Sequence, residues 1–270
     1  MRTEDYQFIS QVVHKSSGLS LGDGKEYLVE SRLGPLAASM GLTDVDGLVR
    51  SLRSTPDGTI VRLLCEAMTT NESLFFRDGT PFEALKDVVF PAFAKARQAT
   101  RKIRIWSAAA STGQEAYSIT MTRELHAPAL AEWTVEILGT DLANGVLERA
   151  RKGVFNQFEV QRGLPITLLM KFFTQVPEGW QINEKLRRQV TFQQFNLLDS
   201  FSILGVFDVI FCRNVLIYFD QPTKVAVLAR LTRALAPDGY LFLGGAETIL
   251  GISDDLVRVN DVKAAVYRRR

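Results

Sequence analysis

The spacing of apolar positions divides the chain near residue 98. Before that point apolar residues recur at helical intervals. Phe8, Val12 and Val13 share one face, and Leu28, Arg32, Leu33 and Leu36 line a second helix. Leu48, Val49 and Leu52 predict a third, and Ile60, Leu63, Leu64 and Ala67 a fourth. Gly18, Gly22, Gly24, Gly41 and the stretch Thr55-Pro56-Asp57-Gly58 separate them. No strand-like alternation interrupts the series, so a small helix bundle is expected, followed by a connecting helix from Pro81 to Ala96. Beyond residue 98 the rhythm changes. Ile103–Trp106 is a short apolar run followed by a periodic stretch, Gln114–Leu125. Val135–Asp141 is followed in the same way by Asn144–Arg151. Phe207–Asn214 precedes a helix that Pro222 can start and that Leu228, Leu231, Thr232 and Leu235 line. Tyr240–Gly245 and Val266-Tyr267 complete the set. Such runs read as buried strands alternating with helices. Residues 164–195 break the pattern with a hairpin about Pro177-Glu178-Gly179 and a strand at Val190–Asn196. The expected organisation is a helical domain over 1–77, a linker helix over 78–97 and an α/β domain over 98–270. The α/β domain is expected to carry a β-hairpin subdomain at about 164–195.

The stretch Ile103–Ser118 is where chemistry is expected. A buried strand ends in Ser107, Ala108, Ala109, Ala110, Ser111 and Gly113, and a helix follows. Small side chains let a ligand approach the backbone, and the first such turn of an open α/β sheet is where an adenine-type cofactor sits. Glu115 would repel a phosphate and suits a hydroxyl or a cation. An ordinary strand-to-helix turn fits these residues equally well. Asp141 lies 28 residues past Gly113 at a strand end, close to the reach expected of an acid that accepts from ribose hydroxyls. It also fits a plain helix cap. Upstream, Thr69–Asp78 packs hydroxyl and amide side chains against Phe75, Phe76 and Arg77, as a loop over a pocket or as a helix cap with an apolar staple.

Composition narrows the class. Hydrophobic residues at 46% and charged residues at 23% suit a soluble globular protein. With 32 basic and 30 acidic residues there is no whole-chain case for nucleic-acid binding. Cys65 and Cys212 form no CxxC motif, and only His14 and His126 accompany them, so no metal site is expected. No signal peptide or membrane span is expected, and a reducing cytoplasm suits the chain. Lys25, Arg32, Arg50, Arg53 and Arg62 recur in the helical part, with Arg50 and Arg53 on one helix face. They are either a solvated surface or a docking patch for an acidic partner.

Several separated motifs then agree. TTNESLFFRD, IWSAAASTGQEAYS, LGTDL, FDVIFCRNVLIYFD and PDGYLFLGG resemble the CheR family, S-adenosylmethionine-dependent glutamate O-methyltransferases of bacterial chemotaxis receptors. The resemblance covers nearly the whole chain. It implies a Rossmann-like methyltransferase domain with a small antiparallel insert, preceded by an all-α domain. It also implies S-adenosylmethionine as cofactor and S-adenosylhomocysteine as product. By position it assigns Asn71, Ser73, Arg77, Glu115, Asp141, Asn196, Leu197, Arg213 and Asn214 to the cofactor. Ser73 keeps a hydroxyl where the family usually has Thr, and Gln114 and Ala116 replace a usual Glu and Pro beside the retained Glu115. Arg77 and Tyr218 are expected to position the substrate carboxylate by hydrogen bonding; the alternatives are a structural ion pair of Arg77 with Asp78 or a neighbouring acid, and a core aromatic role for Tyr218 in the LIYF run.

A glutamate is ionised at neutral pH, so no general base is needed for it to accept a methyl group. The expected partner is the cytoplasmic helical domain of membrane chemoreceptors. The chain would reach it from the cytoplasm as a monomer recruited to receptor arrays, without entering the membrane, and Arg50 and Arg53 are candidates for docking it. The short Pro177-Glu178-Gly179 turn contrasts with the longer glycine-containing loop of peptide-tethered members. Independence from a C-terminal receptor pentapeptide is therefore expected. A methyltransferase acting on RNA or a small molecule, and a non-catalytic cofactor-binding docking module, are the alternatives.

Overall fold

A computed structural model describes residues 1–54 and 57–270; the Thr55-Pro56 part of the turn expected before the fourth helix lies outside the described residues. The chain forms two compact units, Met1–Thr70 with Tyr218–Lys224, and Asn71–Ile217 with Val225–Arg270.

Among the described residues the first unit holds four helices of its own, α1 (Thr3–Ser17), α2 (Glu26–Ser39), α3 (Val45–Ser54) and α4 (Gly58–Met68). Their apolar faces meet in a core of Tyr6, Ile9, Val13, Val29, Leu33, Leu48, Leu52 and Leu64. α1 ends at Gly18, whose φ of 77° is a left-handed cap that only glycine adopts without strain. The chain then runs antiparallel to a later segment. Leu19 bridges Phe219, and the Ser20 amide donates to the Tyr218 carbonyl at 2.9 Å. Arg32 of α2 caps the last carbonyls of α4, donating to Met68 O (2.6 Å) and Thr69 O (3.0 Å), and to Thr70 Oγ1.

In the second unit seven strands form one sheet. They are β1 (Lys102–Ala108), β2 (Thr134–Asp141), β6 (Val190–Gln194), β7 (Phe207–Cys212), β8 (Leu235–Leu243), β9 (Leu256–Arg258) and β10 (Val266–Arg269), in the order β6-β2-β1-β7-β8-β10-β9. The first five are parallel, and β10 and β9 close one side antiparallel. β1 alternates as a buried strand should. Ile103 and Ile105 join one core, and Trp106 packs on Phe201 and Phe207. Trp106 also donates from Nε1 to Thr140 Oγ1 at 2.9 Å, which satisfies the one polar atom of the indole.

Two expectations about segments change. The strand Val190–Gln194, assigned above to the hairpin subdomain, pairs parallel with β2 and is the edge of the large sheet. Its alternating Val190 and Phe192 are buried, whereas Thr191 and Gln193 are exposed. The small antiparallel sheet is instead β3 (Val154–Phe155), β5 (Gly179–Ile182) and β4 (Phe173–Val176), in that order. Residues 78–97, expected as a linker, contribute Phe82, Leu85, Val89, Phe90 and Phe93 to the core beside the sheet. Leu85–Val89 is a π-helical turn, with the Phe90 amide bonded back to Leu85 O. Pro91 follows, and it lacks the amide an unbroken α-helix would need there. The loop from Asn71 also groups with the sheet, because Phe75 is buried edge-on against Phe155 and Phe173.

Candidate functional site

The five parallel strands all end toward one edge of the sheet, and the chain reverses its direction of travel between β1 and β7. In an open α/β sheet that reversal opens a crevice at the carboxyl ends. Every one of those five strands delivers a polar group there. β1 leads to Glu115, β2 ends in Asp141, β6 leads to Asn196 and Leu197, β7 to Arg213 and Asn214, and β8 to Glu247.

Arg213 is the electrostatic centre, its side chain 2% exposed. Its Nη1 donates to Glu115 Oε2 at 2.9 Å, and its Nη2 to Asp78 Oδ2 at 2.6 Å and to the Arg77 carbonyl at 2.9 Å. The other Glu115 oxygen accepts from Ser107 Oγ at 2.7 Å. One arginine thus ties the turn after β1 to the Asn71–Asp78 loop. Its Nε is buried without a hydrogen-bond partner among the described residues. Ser111 makes a second tie, donating from Oγ to the Asn71 carbonyl at 2.6 Å, and the Phe76 amide reaches Ser118 Oγ at 3.0 Å. Ser73 is half-buried in the same loop.

Asp141 is buried and accepts the amides of Ser111 (2.9 Å) and Ala143 (3.0 Å), one on each oxygen. An ionised carboxylate only accepts hydrogen bonds, which is the chemistry a hydroxyl donor requires. On the far side, Asn196 Oδ1 accepts the Leu198 amide. Leu197 is buried, with its carbonyl held by Arg230 Nη2 at 3.0 Å.

Two features of the site have no local sequence signal. Glu247 is buried, and its carboxylate accepts four amides, from Asn214, Val215, Leu216 and Gly244, at 2.6–3.0 Å. It fixes the backbone that carries Arg213 and Asn214. The only hint is the Gly244-Gly245 pair. A Cβ at Gly244 would lie 2.8 Å from both Asn214 Nδ2 and Glu247 Oε2, so the close approach requires glycine. The second feature is strain. Among the described residues six non-glycine positions have positive φ, and five of them, Phe76, Asp78, Ala109, Ser111 and Asn214, lie in these loops. Each costs on the order of 1 kcal/mol, and asparagine tolerates the conformation best. Backbone strain gathers at the strand ends because the ties through Arg213, Ser111 and Glu247 over-determine the loops.

The charges define what fits. The site gathers the carboxylates of Glu115, Asp141, Asp78 and Glu247 and the guanidinium groups of Arg213 and Arg77, which leaves it net negative. Arg213 is consumed by its two acids. Arg77 is half-buried, and its guanidinium has no hydrogen-bond or ion-pair partner among the described residues. The set suits a ligand with hydroxyls, a net positive charge and one carboxylate, and it opposes a phosphate. S-Adenosylmethionine has that chemistry. The carboxylates, the buried Arg213 Nε, the half-buried Arg77 and the small-residue turn therefore fit it.

The remaining residues expected at the site fall in the helical unit. Tyr218 ends a one-turn 3-10 segment, Leu216–Tyr218. Arg50 and Arg53 lie on the polar face of α3. Arg50 is exposed, 4.0 Å from Asp44. Arg53 is engaged instead, donating to the buried Asp5 at 3.0 Å and lying over the Phe8 ring. Arg62 pairs with Glu66 on its own helix. No helix of the described residues is long and apolar enough to cross a membrane.

Comparison with known proteins places the chain in a family. The profile of the CheR methyltransferase all-alpha domain matches residues 4–69, and that of the CheR methyltransferase SAM binding domain matches residues 71–265. A Pseudomonas putida protein named chemotaxis protein methyltransferase Cher2 is 38% identical over 270 residues, covering 98% of each chain. Chemotaxis protein methyltransferase 1 of Pseudomonas aeruginosa is 39% identical with the same coverage. A Vibrio parahaemolyticus chemotaxis protein methyltransferase is 39% identical over 95% of this chain and 94% of its own. The two domains follow one another along almost the entire sequence, so the chain belongs to the CheR methyltransferase family and its cofactor is S-adenosylmethionine.

Proposed function

We propose that the chain methylates glutamate side-chain carboxylates of bacterial chemoreceptors, forming glutamate methyl esters. The observation that carries this reading is the Arg77 guanidinium, half-buried and without a hydrogen-bond or ion-pair partner among the described residues, beside a second arginine already neutralised by Glu115 and Asp78. A free planar cation with fork geometry is what a carboxylate substrate needs for orientation. The names of the relatives, chemotaxis protein methyltransferases, support the receptor as the partner.

When bound, S-adenosylmethionine supplies an electrophilic methyl group on a sulfonium. Asp141 would hold the ribose hydroxyls, Asn196 and Leu197 the adenine, and Asn71, Ser73, Glu115 and Asn214 the methionyl part. Arg213 supports Glu115 and the Arg77–Asp78 backbone. The substrate glutamate is ionised at neutral pH, so these groups orient and exclude water rather than move a proton. Arg77 and Tyr218 are the groups assigned to the substrate carboxylate. Arg77 must hold it weakly enough to leave it nucleophilic, which favours hydrogen bonding at a partly open site over a fully buried ion pair.

The helical domain is assigned to receptor docking, from the cytoplasm and as a monomer, with Arg50 the better placed of the two arginines. Reversal of Arg53 would also set a carboxylate against buried Asp5 and confound the result with misfolding. The turn between β4 and β5 holds only Pro177 and Glu178, which supports independence from a receptor pentapeptide. Titration calorimetry with that peptide should give no measurable heat, and micromolar binding would reject this part. The activity is tested by transfer of labelled methyl to receptor cytoplasmic fragments. Base-labile label on protein is expected. Base-stable label, label on RNA, or cofactor binding without turnover would each reject the proposal.

A further inference from the structure

We propose that His14 is a positioning residue for Tyr218, acting through Asp220. This rests on the reading of Tyr218 as a group that orients the substrate carboxylate. Tyr218 ends a single 3-10 turn, and one such turn does not hold itself in place. Upstream of it, Val215 and Leu216 are pinned by Glu247. Downstream, three anchors come from the last turn and exit of α1. Ser20 donates to the Tyr218 carbonyl, Leu19 bridges the buried Phe219, and His14 Nε2 lies 3.0 Å from Asp220 Oδ2. Asp220 Oδ1 meanwhile accepts the Thr223 amide and caps the helix Gln221–Ala234.

His14 is the side chain that joins these elements. It sits four residues before Gly18, so the left-handed cap that turns the chain also fixes the imidazole relative to Leu19 and Ser20. With a proton on Nε2 the ring donates to the Asp220 carboxylate. Asp220 is bonded from both sides, by His14 and by the first turn of the following helix, and so holds the 218–220 backbone between them. The tyrosine ring projects from that backbone, so a loosened Asp220 would widen the range of its hydroxyl.

The test is a mutant cycle in the full chain, read by methyl transfer to receptor fragments and by calorimetric binding of S-adenosylhomocysteine. The His14–Asp220 pair is partly exposed, so His14→Ala should lower kcat only about two- to fivefold. S-Adenosylhomocysteine affinity and the KM for receptor should be unchanged. His14→Gln, which retains a donor, should recover most of the loss, and Asp220→Asn should repeat it if His14→Ala is poorly folded. In a Tyr218→Phe background, His14→Ala should have no further effect. An equal loss in that background, or a parallel loss of S-adenosylhomocysteine affinity, overturns the role of His14 while leaving that of Tyr218 intact. Tyr218→Phe at full activity overturns the underlying reading of the tyrosine.

Discussion

Replacing Arg213 with Met tests whether the site is organised by one buried cation. The substitution keeps the apolar stem and removes the guanidinium from Glu115, whose side chain is 13% exposed, and from Asp78, which is 48% exposed. Asp78 regains water and contributes little. Glu115 does not, and removing one partner from a buried pair costs about 3–5 kcal/mol. Since Glu115 keeps its Ser107 donor, about 3 kcal/mol is expected. At about 2–4 °C per kcal/mol, the unfolding midpoint should fall by roughly 6–12 °C. All three tryptophans, Trp106, Trp133 and Trp180, lie in the sheet unit, so intrinsic fluorescence follows that unit through a thermal or urea transition. Adding Glu115→Gln removes the stranded charge and should recover about 1–2 kcal/mol. A loss below about 1 kcal/mol in the single variant, or a further loss in the double, would refute the account.

Arg77→Ala should lower kcat/KM for receptor fragments about 10- to 100-fold, with Arg77→Lys only partly restoring it because the fork is lost; an unchanged value would remove Arg77 from the chemistry. Asp141→Asn sets an amide donor against the Ser111 or Ala143 amide and removes an acceptor, so S-adenosylhomocysteine binding measured by calorimetry should weaken about 10- to 100-fold. Glu247→Gln likewise opposes donor to donor among its four amides. It should destabilise the tryptophan-detected transition by about 2 kcal/mol and slow turnover. Arg50→Glu should raise the KM for receptor fragments and leave cofactor affinity unchanged.

The strands were legible where burial makes a sequence monotonous. Ile103–Trp106 and Phe207–Cys212 are mostly buried and read as apolar runs, each interrupted by one charged residue, Arg104 or Asp208. The partner of Val190–Gln194 was not legible, because one alternating strand fits the edge of either sheet. Val154-Phe155 is too short to show a period. The candidate site was read from residue type and from resemblance, which reached Glu115, Asp141 and Arg213 but not what holds them. Glu247 makes three of its four bonds to backbone beyond the end of another strand, and backbone carries no sequence mark. The positive φ angles at Phe76, Ala109 and Ser111 are imposed by tertiary ties, against the preference of those residues. Spacing places Arg53 on one face with Arg50 but does not show its ion pair, because Asp5 is 48 positions away on another helix.

The seven residues that return to the helical bundle late in the chain give the protein an interleaved order of assembly. During synthesis α1 to α4 emerge first, yet the partner of Leu19 and Ser20 follows almost 200 residues later. The bundle therefore completes only after most of the sheet has been made. A gene cut between Thr70 and Asn71 would separate two fragments of which neither is whole, the first lacking its last strand-like pairing and the second carrying Phe219 without its cover. For the same reason, exchange of the bundle between relatives should succeed only when the Tyr218–Lys224 segment travels with it.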